Sequence, residues 1–181
     1  MRVIAGRFGG RRLQAPKGAS TTRPTSDRVR EAIFSMLGAL EDARVLDLFA
    51  GTGALGIEAL SRGAARAVFV ERDAAALAVL RANLRALGLG EGEAEVRRAE
   101  ALAALRSARA GAETYDLVLI DPPYKRAGAM GGELSPALAP LLSEQARVVV
   151  ESDRRAPLEL PWEIEKERRY GDTTITIHRH A

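Results

Sequence analysis

The sequence predicts an open, doubly wound, mostly parallel α/β sheet with an antiparallel hairpin at its C-terminal edge. Three observations predict it. Short apolar runs alternate with amphipathic stretches, the junctions carry glycine or a capping side chain, and the last two runs are parted only by Gly171-Asp172. Ligands of such sheets bind beyond the carboxyl ends of the strands, so chemistry is expected in the loops after Phe49, Val70, Val96 and Ile120.

The elements follow in chain order. Residues 2–14 alternate loosely around Gly6, Gly9 and Gly10, as a small β-hairpin does, and Pro16-Lys17-Gly18-Ala19-Ser20 links them onward. This divides the chain into a basic N-terminal arm, 1–20, and a single domain, 21–181. Ser26 is a good N-cap for a helix whose apolar face is Val29, Ile33, Leu37 and Leu40, with Gly38 near its end. Val45–Phe49 reads as a strand, Ala54–Arg62 as a helix stopped by Gly63, and Ala67–Val70 as the next strand. Asp73 caps a helix carrying Leu77, Leu80, Leu84 and Leu87, which Gly88 ends. A weak strand near Val96, a helix from Glu100 to Arg109 and a strong strand from Asp116 to Ile120 continue the alternation. The glycine-rich residues 126–132 read as a flap, Ser135-Pro136 opens a helix through Leu142, and Arg147–Val150 is a buried strand. Ile164–Tyr170 and Thr173–His178 form the closing hairpin.

Composition narrows the chemistry. The 181 residues include no Cys, which excludes disulfides, cysteine metal sites and thiol nucleophiles. Only His178 and His180 supply imidazole, so no metal is expected. Met1–Arg7 lacks the long apolar core of a leader and no run is long enough to span a bilayer, which predicts a cytoplasmic protein without membrane attachment. The net charge of +3 is unevenly spread: residues 1–30 carry +7 and the remainder −4. A basic segment on a slightly acidic body suits a polyanion, since clustered arginines displace counterions from phosphates, although a solvated basic face would look the same.

Gly51-Thr52-Gly53-Ala54-Leu55-Gly56 matches G-x-G-x-x-G between a strand and a helix, and Glu71, with Arg72 beside it, ends the next strand 20 residues on. That much admits either a dinucleotide or S-adenosylmethionine. Asp47, at the end of the first strand, would repel a pyrophosphate but favours a sulfonium and an ammonium, so the loop reads better as a methyl-donor site. After the most apolar strand comes Asp121-Pro122-Pro123-Tyr124. Its prolines lack N–H donors, so it offers acceptors: the Asp121 carboxylate and the Pro122 carbonyl would hold the N–H bonds of an exocyclic amine while Tyr124 stacks on the base. Glu100 and Ala101 follow the third strand, where an adenine would lie. Glu151 reads as a strand-end charge, and Trp162 and His178 as packing residues.

The chain resembles the RsmD type of bacterial 16S rRNA (guanine-N2)-methyltransferases almost end to end. The resemblance is carried by Val3-Ile4-Ala5-Gly6, Gly10-Arg11-Arg12-Leu13, the block Thr22-Arg23-Pro24-Thr25-Ser26-Asp27-Arg28, Leu46–Gly63, Asp121-Pro122-Pro123-Tyr124 and Tyr170-Gly171-Asp172-Thr173. It implies a class I S-adenosylmethionine-dependent methyltransferase fold, Rossmann-like, with S-adenosylmethionine as donor and S-adenosylhomocysteine as product. It further implies an rRNA acceptor, expected within an assembling small-subunit particle; separately, the chain is expected to be a monomer. The cofactor-binding candidates are Asp47, Phe49, Gly51, Gly53, Glu71, Arg72, Glu100 and Ala101, and the catalytic ones Asp121, Pro122 and Tyr124. Those for RNA are Arg2, Arg7, Arg11, Arg12, Lys17, Arg23, Arg28 and Lys125. The rivals are transfer to a DNA adenine or a protein glutamine, an NAD-dependent oxidoreductase on the same glycine loop, and a ribosome-assembly binder without turnover.

Overall fold

The structure, a computed structural model, describes residues 1–15, 26–123 and 127–180. Seven strands form one sheet: β1 (Arg44–Asp47), β2 (Arg66–Glu71), β3 (Ala94–Arg98), β4 (Tyr115–Ile120), β5 (Leu142–Asp153), β6 (Glu163–Tyr170) and β7 (Thr173–Arg179). Their order is β3-β2-β1-β4-β5-β7-β6, with β1 to β5 parallel and β7 antiparallel to both its neighbours. The direction of winding reverses between β1 and β4, which is where a doubly wound sheet opens its ligand crevice.

Helices α1 (Asp27–Leu37), α2 (Ala54–Ser61) and α3 (Ala74–Leu87) cover one face; α4 (Ala101–Ala110) and α5 (Ala127–Leu138) cover the other. Local chemistry sets several boundaries as expected. Ser26 accepts from Val29 N at 3.2 Å and Asp73 from Ala76 N at 2.8 Å, each satisfying a first-turn amide that the helix itself cannot. Gly88 ends α3 in the left-handed conformation, φ 72°. The third glycine of the loop motif has a packing cause: a Cβ on Gly56 would lie 2.3 Å from Phe69 Cε1 of β2. Gly56→Ala is expected to lower stability by about 1–3 kcal/mol despite the better helix propensity of alanine, read as a lower urea midpoint.

Four expectations are corrected. The first strand stops at Asp47, although Leu48 N still donates to Leu119 O at 3.0 Å. The expected Ser135-Pro136 helix start is replaced by α5, in which residues 127–132 form the first half and Pro136 sits near the end. Ser135 Oγ donates to Gly131 O at 2.6 Å, and Gly131 lies so close to Glu159 O that a Cβ would come within 2.1 Å. Leu134, Leu138 and Leu141 are buried with helical spacing, so packing overrides the local Ser-Pro signal. The last parallel strand is longer than its Val-rich centre, and Glu151, read as a strand-end charge, lies inside it and is buried.

The N-terminal hairpin is the fourth correction. It consists of a single antiparallel bridge, Arg2 with Arg12, around a 3-10 turn at Gly6–Phe8. Val3 and Leu13 are buried in the core shared with α1 to α3. The Glu58 carboxylate of α2, itself buried, accepts from Ile4 N at 2.7 Å and Ala5 N at 3.1 Å, and Ser61 Oγ accepts from Phe8 N at 3.0 Å. The segment is therefore docked on α2. At the opposite edge His178 is buried, bonded to Trp162 O and Thr176 Oγ1 at 3.0 Å each, and held below its ordinary pKa by burial; both residues pack as expected.

Candidate active site

The crevice begins where β1 ends. Asp47 is 1% exposed and its Oδ2 accepts from Gly56 N at 3.0 Å, so the carboxyl fixes the start of α2 under the glycine loop. Burial is the main reason its pKa is pushed up to about 7; the Gly56 N–H opposes this and the negative charge of Glu71 adds to it. Gly51 and Gly53 both adopt positive φ, 53° and 82°, a conformation that favours glycine. A Cβ on Gly53 would meet Leu80 Cδ1 at 2.3 Å, whereas the space beside Gly51 is open to 4 Å. The loop thus presses on α3 from one glycine and leaves open space at the other.

Glu71, at the end of β2, faces that loop. Its Oε2 accepts from Gly51 N at 2.9 Å, and its Oε1 from Arg72 N and Asp73 N at 2.7 and 2.8 Å. Arg72 Nη1 pairs with Glu100 Oε1 at 2.8 Å, joining the loops after β2 and β3. Both side chains are more than half exposed, so this pair is worth little on its own. Glu100 is the N-cap residue of α4 without a side-chain cap, and Ala101 opens that helix in a buried position. Phe49, Ala99 and Leu102 are partly buried against the same core cluster, an apolar floor next to Ala101.

Asp121 and Pro122 follow β4 directly, beside β1: Asp47 is paired with Leu119, two residues before Asp121. Asp121 is half-buried and Pro122 buried. The register Ile120↔Val150 also brings the next residue of β5, the buried Glu151, to this end of the sheet. Its signal in the sequence was an acid closing a Val-rich run at the carboxyl end of the sheet, where strand-end charge and site residue look alike. Tyr124 and Lys125 lie outside the described residues, as do Lys17 and Arg23.

The basic candidates divide. Arg2, Arg12 and Arg28 are exposed. Arg7 is ion-paired with Glu93 and lies over the Phe8 ring at 4.4 Å, and Arg11 Nη2 donates to Ala86 O at 2.8 Å. Arg30, which contributes to the charge of the basic segment, is wholly buried and bonded to Arg2 O and Asp27 Oδ1. It serves the fold. Asn83 of α3 gives no signal in the sequence, because a polar residue in an amphipathic helix normally faces solvent; here it is 1% exposed and touches the glycine loop. An open cavity of about 400 Å³ lies over β5, β6 and β7, its walls including Arg154 and Arg169 against Glu159 and Glu167, so nothing there selects one sign of charge.

Residues 1–179 match the family described as conserved hypothetical protein 95. The chain belongs to this family, the RsmD type. YlbH of Bacillus subtilis, named as a candidate rRNA methyltransferase, is 40% identical to the RsmD-type chain over 99% of it and 98% of that relative. Ribosomal RNA small subunit methyltransferase D of Escherichia coli is 36% identical over 99% of the chain and 89% of its own length. Among solved structures, a hypothetical protein of Thermus thermophilus superposes with a TM-score of 0.84 at 32% identity, covering 99% of both chains. An RNA methyltransferase of Salinibacter ruber, solved with S-adenosyl-L-homocysteine, shares the fold at a TM-score of 0.68 and 21% identity, over 87% of this chain and 93% of that one. The RsmD-type chain thus has the doubly wound sheet that its alternating pattern predicts and the class I methyltransferase fold that the resemblance implies, and among its described residues no helix is long and apolar enough to cross a membrane.

Proposed function

We propose that the chain transfers a methyl group from S-adenosylmethionine to the exocyclic N2 amine of one guanine in 16S rRNA, as a cytoplasmic monomer working on an assembling small-subunit particle. The observation that carries this is the pair of acids lining the first crossover: Asp47, buried and raised to about 7, next to Glu71. Two carboxyls at the glycine loop oppose the pyrophosphate of a dinucleotide and favour a positively charged ligand. The residues fit S-adenosylmethionine: the open space beside Gly51 admits the amino-acid end near Asp47, Glu71 offers acceptors for ribose hydroxyls, and Phe49 with Ala99 and Leu102 suits an adenine beside Ala101. When bound it supplies an electrophilic methyl on sulfur.

The chain's own part is positioning. Asp121 and the Pro122 carbonyl accept the two N–H bonds of the guanine amine, turning its lone pair toward the crevice, and Tyr124 stacks on the base. Arg2, Arg12 and Arg28 meet phosphates, and the relatives named as small-subunit rRNA methyltransferases support rRNA as their source. The test is tritiated S-adenosylmethionine with small-subunit particles lacking the modification, followed by nucleoside analysis. Label is expected in N2-methylguanosine; label in adenosine, in DNA or in protein overturns the assignment.

Because Val3 and Leu13 belong to the core, the basic segment is better tested by substitution than by deletion. Arg2→Glu combined with Arg12→Glu is expected to weaken rRNA binding and to flatten the log–log salt slope by about two, with RNA-free S-adenosylhomocysteine affinity unchanged. An unaltered slope returns these arginines to the solvated surface.

A further inference from the structure

We propose that Asn83 is a positioning residue that couples rRNA seating on the N-terminal segment to the setting of the cofactor loop. It lies on α3 among Leu77, Leu80, Leu84 and Leu87, at 1% exposure, where an apolar side chain would be the ordinary occupant. A buried amide is costly unless it is saturated, and this one bonds two segments distant in sequence. Oδ1 accepts from Gln14 N at 2.8 Å, while Nδ2 donates to Gln14 O at 3.2 Å and to Thr52 O at 3.0 Å.

Each end of this link has a function to serve. Gln14 closes the stretch that presents Arg2, Arg7, Arg11 and Arg12. Thr52 is the residue between Gly51 and Gly53, both at positive φ, so its peptide is flanked by the two positions of the loop where rotation is least hindered by a Cβ. Asn83 holds that carbonyl in one orientation. A shift of Gln14 as rRNA binds therefore reaches the loop through a single saturated side chain, and by linkage cofactor binding must act back on rRNA affinity by the same factor.

The proposal rests on the assignment of the loop to S-adenosylmethionine and of the segment to rRNA, and the experiment separates the two failures. S-adenosylhomocysteine is titrated calorimetrically into the full chain with and without small-subunit particles lacking the modification. In the natural protein, rRNA is expected to tighten the ligand by about tenfold. The factor should fall below about twofold in Asn83→Leu and part of the way there in Gln14→Pro, which removes the N–H on the segment side but leaves Gln14 O to accept from Nδ2, with no further fall in the double variant beyond Asn83→Leu. Leu84→Ala loosens the same helix without touching either partner and should keep the full factor. Coupling retained in Asn83→Leu, undiminished in Gln14→Pro, lost alike in Leu84→Ala, or absent from a natural protein that binds both ligands overturns the role of Asn83. Failure of the natural protein to bind the ligand or the particle overturns the assignment beneath it. Should Asn83→Leu not fold, Gln14→Pro decides, since its side chain is on the surface.

Discussion

Asp121→Ala is expected to lower single-turnover methyl transfer by about a thousandfold or more while leaving S-adenosylhomocysteine affinity within about threefold. The separation follows from the topology. Asp121 leaves the sheet from β4, whereas the loop, Asp47 and Glu71 belong to β1 and β2 on the other side of the switch point. An exocyclic amine attached to an aromatic ring is a poor nucleophile until its lone pair is turned out of conjugation. Acceptors on both N–H bonds do this, and the carboxylate is the stronger of the two. Asp121→Asn keeps an acceptor oxygen without the charge and should recover part of the rate. No strong base is required, because the amine becomes acidic once it carries the methyl. Full activity in the alanine variant removes Asp121 from the chemistry.

Asp47→Asn should act in opposite directions on stability and on cofactor affinity. The carboxyl, ordinarily at 3.8, is pushed up to about 7 in the folded protein chiefly by burial. Between those values the folded chain holds a proton that the unfolded chain has lost, so ligand-free stability falls as pH rises through the interval and stays low above it. An amide retains the oxygen for Gly56 N and abolishes the cost of the buried charge. The variant is expected to melt on the order of 5 °C higher than the natural protein at pH 8, with the difference vanishing near pH 4. S-adenosylmethionine favours the ionised carboxyl, so its affinity for the natural protein should climb with pH up to about 7 and then level. In Asp47→Asn that climb disappears, and affinity at pH 8 drops by roughly a hundredfold, the effect of removing a charge-assisted hydrogen bond from a buried site. Identical pH profiles of affinity for the two proteins, measured calorimetrically, would refute a cationic ligand at Asp47.

What could be read directly was whatever a local pattern encodes. The Ser26 and Asp73 caps, the glycines at positive φ and the apolar period of each helix involve residues a few positions apart, and each has one cheap conformation. Asp47 and Glu71 were legible for the same reason: they close apolar strands at the end where a parallel sheet exposes its loops. Local signals failed where two of them competed. Ser135-Pro136 announces a helix start, yet the apolar spacing of Leu134, Leu138 and Leu141 makes it the end of one.

By itself, then, the chain's order of residues determined the winding of the sheet, the crevice at its switch point and the acids around the glycine loop. Only the tertiary structure decided that the basic N-terminal segment is bolted to α2 by Glu58 and Ser61, that Arg30 is interior, and that Asn83 spans from Gln14 to Thr52. Apart from the ion pair of Glu58 with Arg62 one turn away, the bonds made by Glu58 and Asn83 join residues 31 to 69 positions apart, and they are satisfied by backbone amides and carbonyls of a kind that nearly every residue carries. A partner common to all residues leaves no mark in the sequence, so a buried Asn or Glu looks like any polar residue on a helix until packing shows which way it faces.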